Sequence, residues 1–148
     1  MRKRYFFDTS ALVKLYHHEE WTDTLDRMIE AENPIIVISD IGIVEMVSAL
    51  LKKTRMNLLD KQTCDNVIAE FEKDIDKFEV IEADTVIKNS AGQLLKDFGT
   101  IFGLKTLDAL QLASALSASE ISKLDLFIVT DRTLGSVARQ KGLNVFDL

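Results

Sequence analysis

The sequence predicts a three-layer α/β/α sandwich around a central, parallel, five-stranded sheet. Two observations point there. Short apolar stretches alternate with longer stretches of helical period from one end of the chain to the other, and strands separated by helices pair in parallel through right-handed crossovers. The strands also read as nearly unbroken apolar runs, Ile35-Ile36-Val37-Ile38 above all. That is the pattern of a sheet covered by helices on both faces.

The elements follow in order. Residues 5–7 form an aromatic first strand that stops at Asp8. Helical spacing runs over 10–18 and again over 21–31. Ile35–Ser39 is the second strand, and the helix 40–53 follows it. A helix over 60–77 carries the lone cysteine, Cys64, and leads to a third strand over 78–81. Helices over 84–98 and 106–117 are joined by a loop at 99–105. The fourth strand is 126–130, and the helix 132–141 is followed by Gly142, the residue type expected just past a helix end. Residues 144–146 form the last strand. The common doubly wound order 3-2-1-4-5 is taken for the sheet, and in such folds the site lies beyond the carboxyl ends of the strands, where the order reverses. No internal repeat or low-complexity tract is present.

The chain has 148 residues, 47% of them apolar, with one proline and no Gly/Pro/Ser-rich linker. It is read as one domain over 1–148, large enough to bury a core without staples. Cys64 excludes an internal disulfide and is read as a reduced structural thiol in a cytoplasmic protein. The basic start, Arg2-Lys3-Arg4, is followed by only three apolar residues before Asp8. That run is too short for a signal peptide, and no stretch has the length of a membrane span. The net charge of −6 and pI near 4.9 argue against a broad basic nucleic-acid surface. They leave room for a nuclease whose bound cations reverse the sign of its site.

Four acids stand out. Asp8 directly follows the first strand and Asp131 the fourth. With the assumed order those strands are neighbours, roughly 4.8 Å apart, so both carboxylates face one crevice. Each is equally explicable as a helix N-cap. Glu45 and Asp108 sit in Ile41-Gly42-Ile43-Val44-Glu45-Met46-Val47 and Leu107-Asp108-Ala109-Leu110-Gln111-Leu112-Ala113, helices without a solvated stripe. A carboxylate there is buried or half-buried, which demands a partner or a proton. The alternatives are a buried salt bridge for Glu45 and, for Asp108, a favourable place in the first turn after a Thr106 cap.

Clustered carboxylates repel one another, and Mg²⁺ or Mn²⁺ relieves the repulsion, because hard cations take oxygen ligands. Such a site activates water and stabilises the attacking and leaving oxygens of a phosphodiester. No Cys/His set suggests zinc. His17 and His18 are adjacent and, with Glu19 and Glu20, form a solvated helix end. Walker and dinucleotide glycine motifs are absent. A phosphoacceptor receiver module would need an acidic pair after the first strand and a late lysine where Asp131 stands. An aspartyl phosphatase would need a second Asp in place of Ser10. Lys14, Lys52, Lys53, Arg55, Lys105 and Arg132 are candidate phosphate contacts. The helix 41–51 and the stretch 56–59 are candidate dimer or partner surfaces, or simply core.

These residues resemble the PIN-domain family, the VapC-like toxin ribonucleases in particular. Phe7-Asp8-Thr9-Ser10-Ala11-Leu12-Val13-Lys14-Leu15-Tyr16 is similar to the family's first motif, where the Asp is a metal ligand supported by the hydroxyl at Ser10. Glu45 matches the acid in the helix after the second strand. Leu107-Asp108-Ala109, running on to Ala113 and Ala115, matches the Asp heading an Ala-rich helix. Val129-Thr130-Asp131-Arg132-Thr133-Leu134 matches the closing segment, with Thr130 beside the acid. Asp40 and Gly42 depart from the usual pattern, and Asp40 is either an extra site acid or a first-turn helix residue. The resemblance implies a cytoplasmic endoribonuclease dependent on Mg²⁺ or Mn²⁺. Asp8, Glu45, Asp108 and Asp131 would be its catalytic and metal-binding residues; apart from the resemblance, Lys14, Lys105 and Arg132 are taken as phosphate contacts from among the basic residues. The resemblance further implies a homodimer and a small antitoxin partner. The competing reading is a non-catalytic or antitoxin-independent RNA-processing protein on the same fold.

Overall fold

A computed structural model describes residues 1–148. Five strands, β1 (Arg4–Phe7), β2 (Ile35–Ser39), β3 (Glu79–Ile81), β4 (Leu126–Val129) and β5 (Val145–Asp147), form one sheet of order β3-β2-β1-β4-β5. Every pairing is parallel, so the expected three-layer architecture and strand order hold. The chain builds outward from β1 in one direction, then returns to lay β4 against the other side of β1. The reversal point therefore lies between β1 and β4.

Alternation along the strands divides the core in two. Phe6, Val37, Phe127 and Val129 face one layer. It is made by the helices α5 (Thr85–Phe102), α6 (Thr106–Ile121) and α7 (Arg132–Gln140). Tyr5, Phe7, Ile38 and Ile128 face the other. That layer is made by α1 (Thr9–Val13), α2 (Thr22–Glu32), α3 (Asp40–Arg55) and α4 (Lys61–Asp74). All eight strand residues are at most 1% exposed.

Side-chain caps start most of the helices. Asp8, Ser39, Asp60, Asp84 and Asp131 each accept a hydrogen bond from a backbone N–H in the first turn, satisfying donors the helix itself leaves free. Four expectations need correction. The first helix stops at Val13 instead of reaching residue 18, because the chain folds into a turn closed by Thr22 Oγ1, which donates to the Lys14 carbonyl at 2.8 Å. The helix expected over 60–77 ends at Asp74 and tightens into a 3₁₀ turn, Ile75–Lys77. The helix expected over 84–98 runs on to Phe102 and ends at Gly103 with φ +70°. Thr106 is the first residue of α6, and its N-cap position is held by Lys105 without a side-chain cap.

The amino edge of the sheet is pinned by a buried cation. Arg4 is 5% exposed. Its guanidinium pairs with Glu79 at 2.7 Å and donates to the carbonyls of Ala118 (3.0 Å), Ser122 and Lys123 (3.3 Å). One planar, five-donor group thus closes the carboxyl end of α6. The opposite, carboxyl edge is left to the acids.

Candidate active site

Asp8 leaves β1 and Asp131 follows the end of β4, and these strands pair directly, Phe7 opposite Ile128. Both acids are N-caps. An Oδ1 of Asp8 accepts from the Ala11 N–H at 2.8 Å, and Asp131 Oδ1 from the Leu134 N–H at 2.8 Å. Capping engages one carboxylate oxygen of each, so it does not compete with a second role.

Glu45 is the sixth residue of α3 and is half-buried. Its Oε1 accepts from Thr9 Oγ1 at 3.0 Å and from Gln111 Nε2 at 2.8 Å. Gln111 Nε2 also lies 3.0 Å from Thr9 Oγ1. Two residues from two other helices, Thr9 on α1 and Gln111 on α6, thereby hold the carboxylate of α3. The amide turns its NH₂ end to Glu45 because a carboxylate only accepts. Gln111 is 3% exposed, and its Oε1 is buried without a hydrogen-bond partner. Gly42 packs beside the group, with space for an ordinary van der Waals contact. A Cβ there would stand 3.4 Å from Gln111 Nε2 and 3.7 Å from Thr9 Oγ1.

Asp108 is the third residue of α6, half-buried, one turn before Gln111 on the same helix face. The four acids lie within electrostatic reach of one another. Burial pushes the Asp8 carboxyl up to about 7, against the opposing hydrogen bond from Ala11, and the charges of Asp108, Glu45 and Asp131 push it further. Burial likewise raises Asp108, assisted by Asp131 and Glu45 and opposed by Lys105. Such a cluster favours either a proton or a cation. Its donor set, all carboxylate oxygen, suits a hard divalent ion. In this conformation the carboxylates are spread, and no three His, Cys, Asp or Glu side chains stand close enough together to hold one ion.

The remaining residues sort as follows. Ser10 is exposed, and Thr130 half-buried. Both line a groove shared with Lys14. The hydroxyl that bonds a site acid is that of Thr9. Lys105 and Arg132 are exposed at the starts of α6 and α7. Asp40 is a first-turn residue whose Oδ1 accepts from the Ala83 N–H at 3.0 Å, tying the end of β3 to α3. His18 pairs with Asp23 at the surface, and Cys64 is buried in the core. Gln111 has a sequence signal that the search for acids passes over. Like Glu45, it is a polar residue inside an apolar helix, three positions after Asp108.

A family model for the PIN domain matches residues 5–140. The chain belongs to the PIN-domain family. No curated protein matches it by sequence. Solved structures similar to this PIN domain include VapBC2 from Rickettsia felis bound to a DNA fragment from their promoter (18% identity, 98% of each chain covered, TM-score 0.65). FitAcB from Neisseria gonorrhoeae is similar at 17% identity over 96% of each chain, with a TM-score of 0.67. VapC20 from Mycobacterium tuberculosis, a toxin described as cleaving the Sarcin-Ricin loop, is 13% identical, covering 94% of this chain and 95% of its own, with a TM-score of 0.65. At these identities the likeness is one of fold. No helix of this PIN domain is long and apolar enough to cross a membrane.

Proposed function

We propose that this PIN domain, a single unit over 1–148, is a cytoplasmic, divalent-metal-dependent endoribonuclease that hydrolyses RNA phosphodiester bonds. We further propose that it is the toxin of a type II toxin–antitoxin pair. The observation that supports the proposal is that Asp8, Glu45, Asp108 and Asp131, from four separate segments, lie within electrostatic reach at the carboxyl edge of β1 and β4. Asp8, Glu45, Asp108 and Asp131 would hold Mg²⁺ or Mn²⁺. The ion supplies an acidified water and charge stabilisation for the attacking and leaving oxygens. The chain's own part is positioning. Thr9 and Gln111 fix one oxygen of Glu45, while the helix caps fix Asp8 and Asp131. Lys14, Lys105 and Arg132 contact substrate phosphates, and Ser10 and Thr130 border the reacting strand.

Toxin–antitoxin complexes among the similar folds support a small antitoxin partner for this chain, and the homodimer is proposed from the family resemblance alone. The spread of the carboxylates favours the non-catalytic form of the competing reading. One assay separates the two. Purified chain should cut RNA only when Mg²⁺ or Mn²⁺ is present, and Asp8→Asn should lower the rate by at least two orders of magnitude. Equal cutting by that variant removes the four acids from the mechanism. For the toxin role, expression of the chain alone should arrest growth, and co-expression of the product of a short reading frame beside its gene should relieve the arrest.

A further inference from the structure

A chain of net charge −6 with four clustered acids repels a polyanion from the place where it is to be cut. The strand on either side of the scissile phosphate therefore needs local cations. Besides Lys105 and Arg132 at the helix starts, one groove supplies several of them together. A groove of about 400 Å³ is lined by Ser10 and Thr130, close neighbours of Asp8 and Asp131 in the chain, and by Lys14, Lys52 and Lys53. Met56 and Leu58, 57% and 56% exposed, complete it.

Two of the lysines converge. Lys14 Nζ, from the end of α1, and Lys53 Nζ, from the last turn of α3, reach the two oxygens of Glu19 at 3.1 and 2.9 Å. The side chains of Lys14 and Lys53 are only 12% and 20% exposed. Glu19 is held in place by its own backbone N–H, which donates to Thr22 Oγ1 at 3.0 Å. Two ammonium groups brought by separate helices onto a single carboxylate make an anion site, and an anion of this chain fills it. Burial pushes the Glu19 carboxyl up, but the hydrogen bonds from Lys53 and Lys14 outweigh that and hold it below the usual carboxylate range.

Resting on the endonuclease reading above, we propose that this groove binds the sugar-phosphate strand of single-stranded RNA beside the scissile bond. In it Glu19 is an internal anion, which a substrate phosphate displaces from Lys14 and Lys53. Lys52 is exposed and outside the pair, and adds a further phosphate contact. Met56 and Leu58 offer apolar surface to base faces. Glu19 then sets the threshold for binding, and a short or weakly charged ligand does not displace it.

The test uses a fluorescent 12-nucleotide single-stranded RNA in metal-free buffer at several salt concentrations, with wild type, Glu19→Gln, Lys52→Met and Lys14→Met/Lys53→Met. The double lysine variant should lower the slope of log affinity against log salt by roughly 1.4, at about 0.7 for each phosphate contact on a single strand. Lys52→Met should lower it by about 0.7. Glu19→Gln should tighten binding several-fold. With Mn²⁺ present, the lysine variants should cut RNA more slowly than the wild type. Unchanged RNA affinity in folded Glu19→Gln and Lys52→Met overturns the groove assignment, even where the double variant does not fold. A lower Tm for Glu19→Gln with unchanged affinity makes the pair a structural bridge. Polyglutamate that binds as tightly as RNA makes the groove a general anion site and also overturns the assignment. Failure of the wild type to cut RNA with any metal counts against the nuclease reading instead, and the metal-free binding measurements still decide the groove.

Discussion

Gln111 shows how much one buried amide can decide. Only 3% exposed itself, it donates to Glu45 at 2.8 Å, yet its own Oε1 has no hydrogen-bond partner. A hydrogen bond to a charged group contributes about 1.5–3 kcal/mol, and an orphaned buried acceptor costs about 1–3 kcal/mol. The two nearly offset, so the main effect of Gln111 is to orient Glu45 and not to add stability. Gln111→Leu should therefore change the Tm by only a few degrees. The Mn²⁺ concentration that gives half-maximal RNA cleavage should rise roughly 10- to 100-fold, the usual penalty for losing an outer partner of a metal ligand. Thr9→Val should act in the same direction, and Thr9→Ser, which keeps the hydroxyl, should restore the wild-type value. A fall in Tm with an unchanged metal requirement would make both residues purely structural.

Among the elements, α7 carries the glycine with least clearance for a side chain. Its interior glycine, Gly135, lies against the sheet, where an added Cβ would stand 2.9 Å from Asp147 Oδ1 and 3.3 Å from Val129 Cγ2. Helix propensity alone predicts that Gly135→Ala stabilises by about 1 kcal/mol. Packing predicts the reverse, because although the half-exposed Asp147 carboxylate can swing aside, the buried Val129 methyl must give by a few tenths of an ångström, and overpacking of this kind costs about 1–3 kcal/mol. The second effect is the larger. Thermal unfolding should show a lower Tm for Gly135→Ala, and a rise would mean that the sheet edge yields freely. Since α7 begins at Asp131, the same substitution tests whether helix seating transmits to the site. The short α1 makes a related point. Its helical spacing continues past Val13 in sequence, but the turn closed by Thr22 ends it and delivers Lys14 and Glu19 to the groove.

For the whole molecule, the acid cluster links stability to pH. Asp8 is raised from an ordinary value of 3.8 to about 7, chiefly by burial. A raised folded-state value means that the folded chain favours the protonated carboxyl. The stabilisation is complete below about pH 4 and disappears as the pH climbs through 7. At about 1.4 kcal/mol per unit the full effect is on the order of 4 kcal/mol. Asn in place of Asp8 stays neutral and still caps α1. In metal-free buffer the Asp8→Asn variant should gain Tm relative to wild type as the pH rises from 5 to 8. At pH 8, added Mn²⁺ should raise the Tm of the wild type more than that of the variant, because a ligand that binds only the folded state stabilises it. A wild-type–variant difference that does not change with pH would show that Asp8 is already ionised at pH 5.

The sequence by itself determined the order of strands and helices, the parallel sheet with two covered faces, and the positions of Asp8 and Asp131 at strand ends. These are written locally. Apolar period, β-branched runs and Asp caps each act within a few neighbouring residues, so they read the same before and after folding. It also singled out Glu45 and Asp108, because an acid in an apolar helix is conspicuous in any window. What tertiary structure decided is partnership. That β4 lies beside β1, that Glu45 is held by Thr9 and Gln111 from 36 and 66 positions away, and that Lys14 and Lys53 meet on Glu19 depend on how seven helices close over five strands. A single sequence has no local signature for such pairs, because the free energy that selects them comes from burying both layers at once.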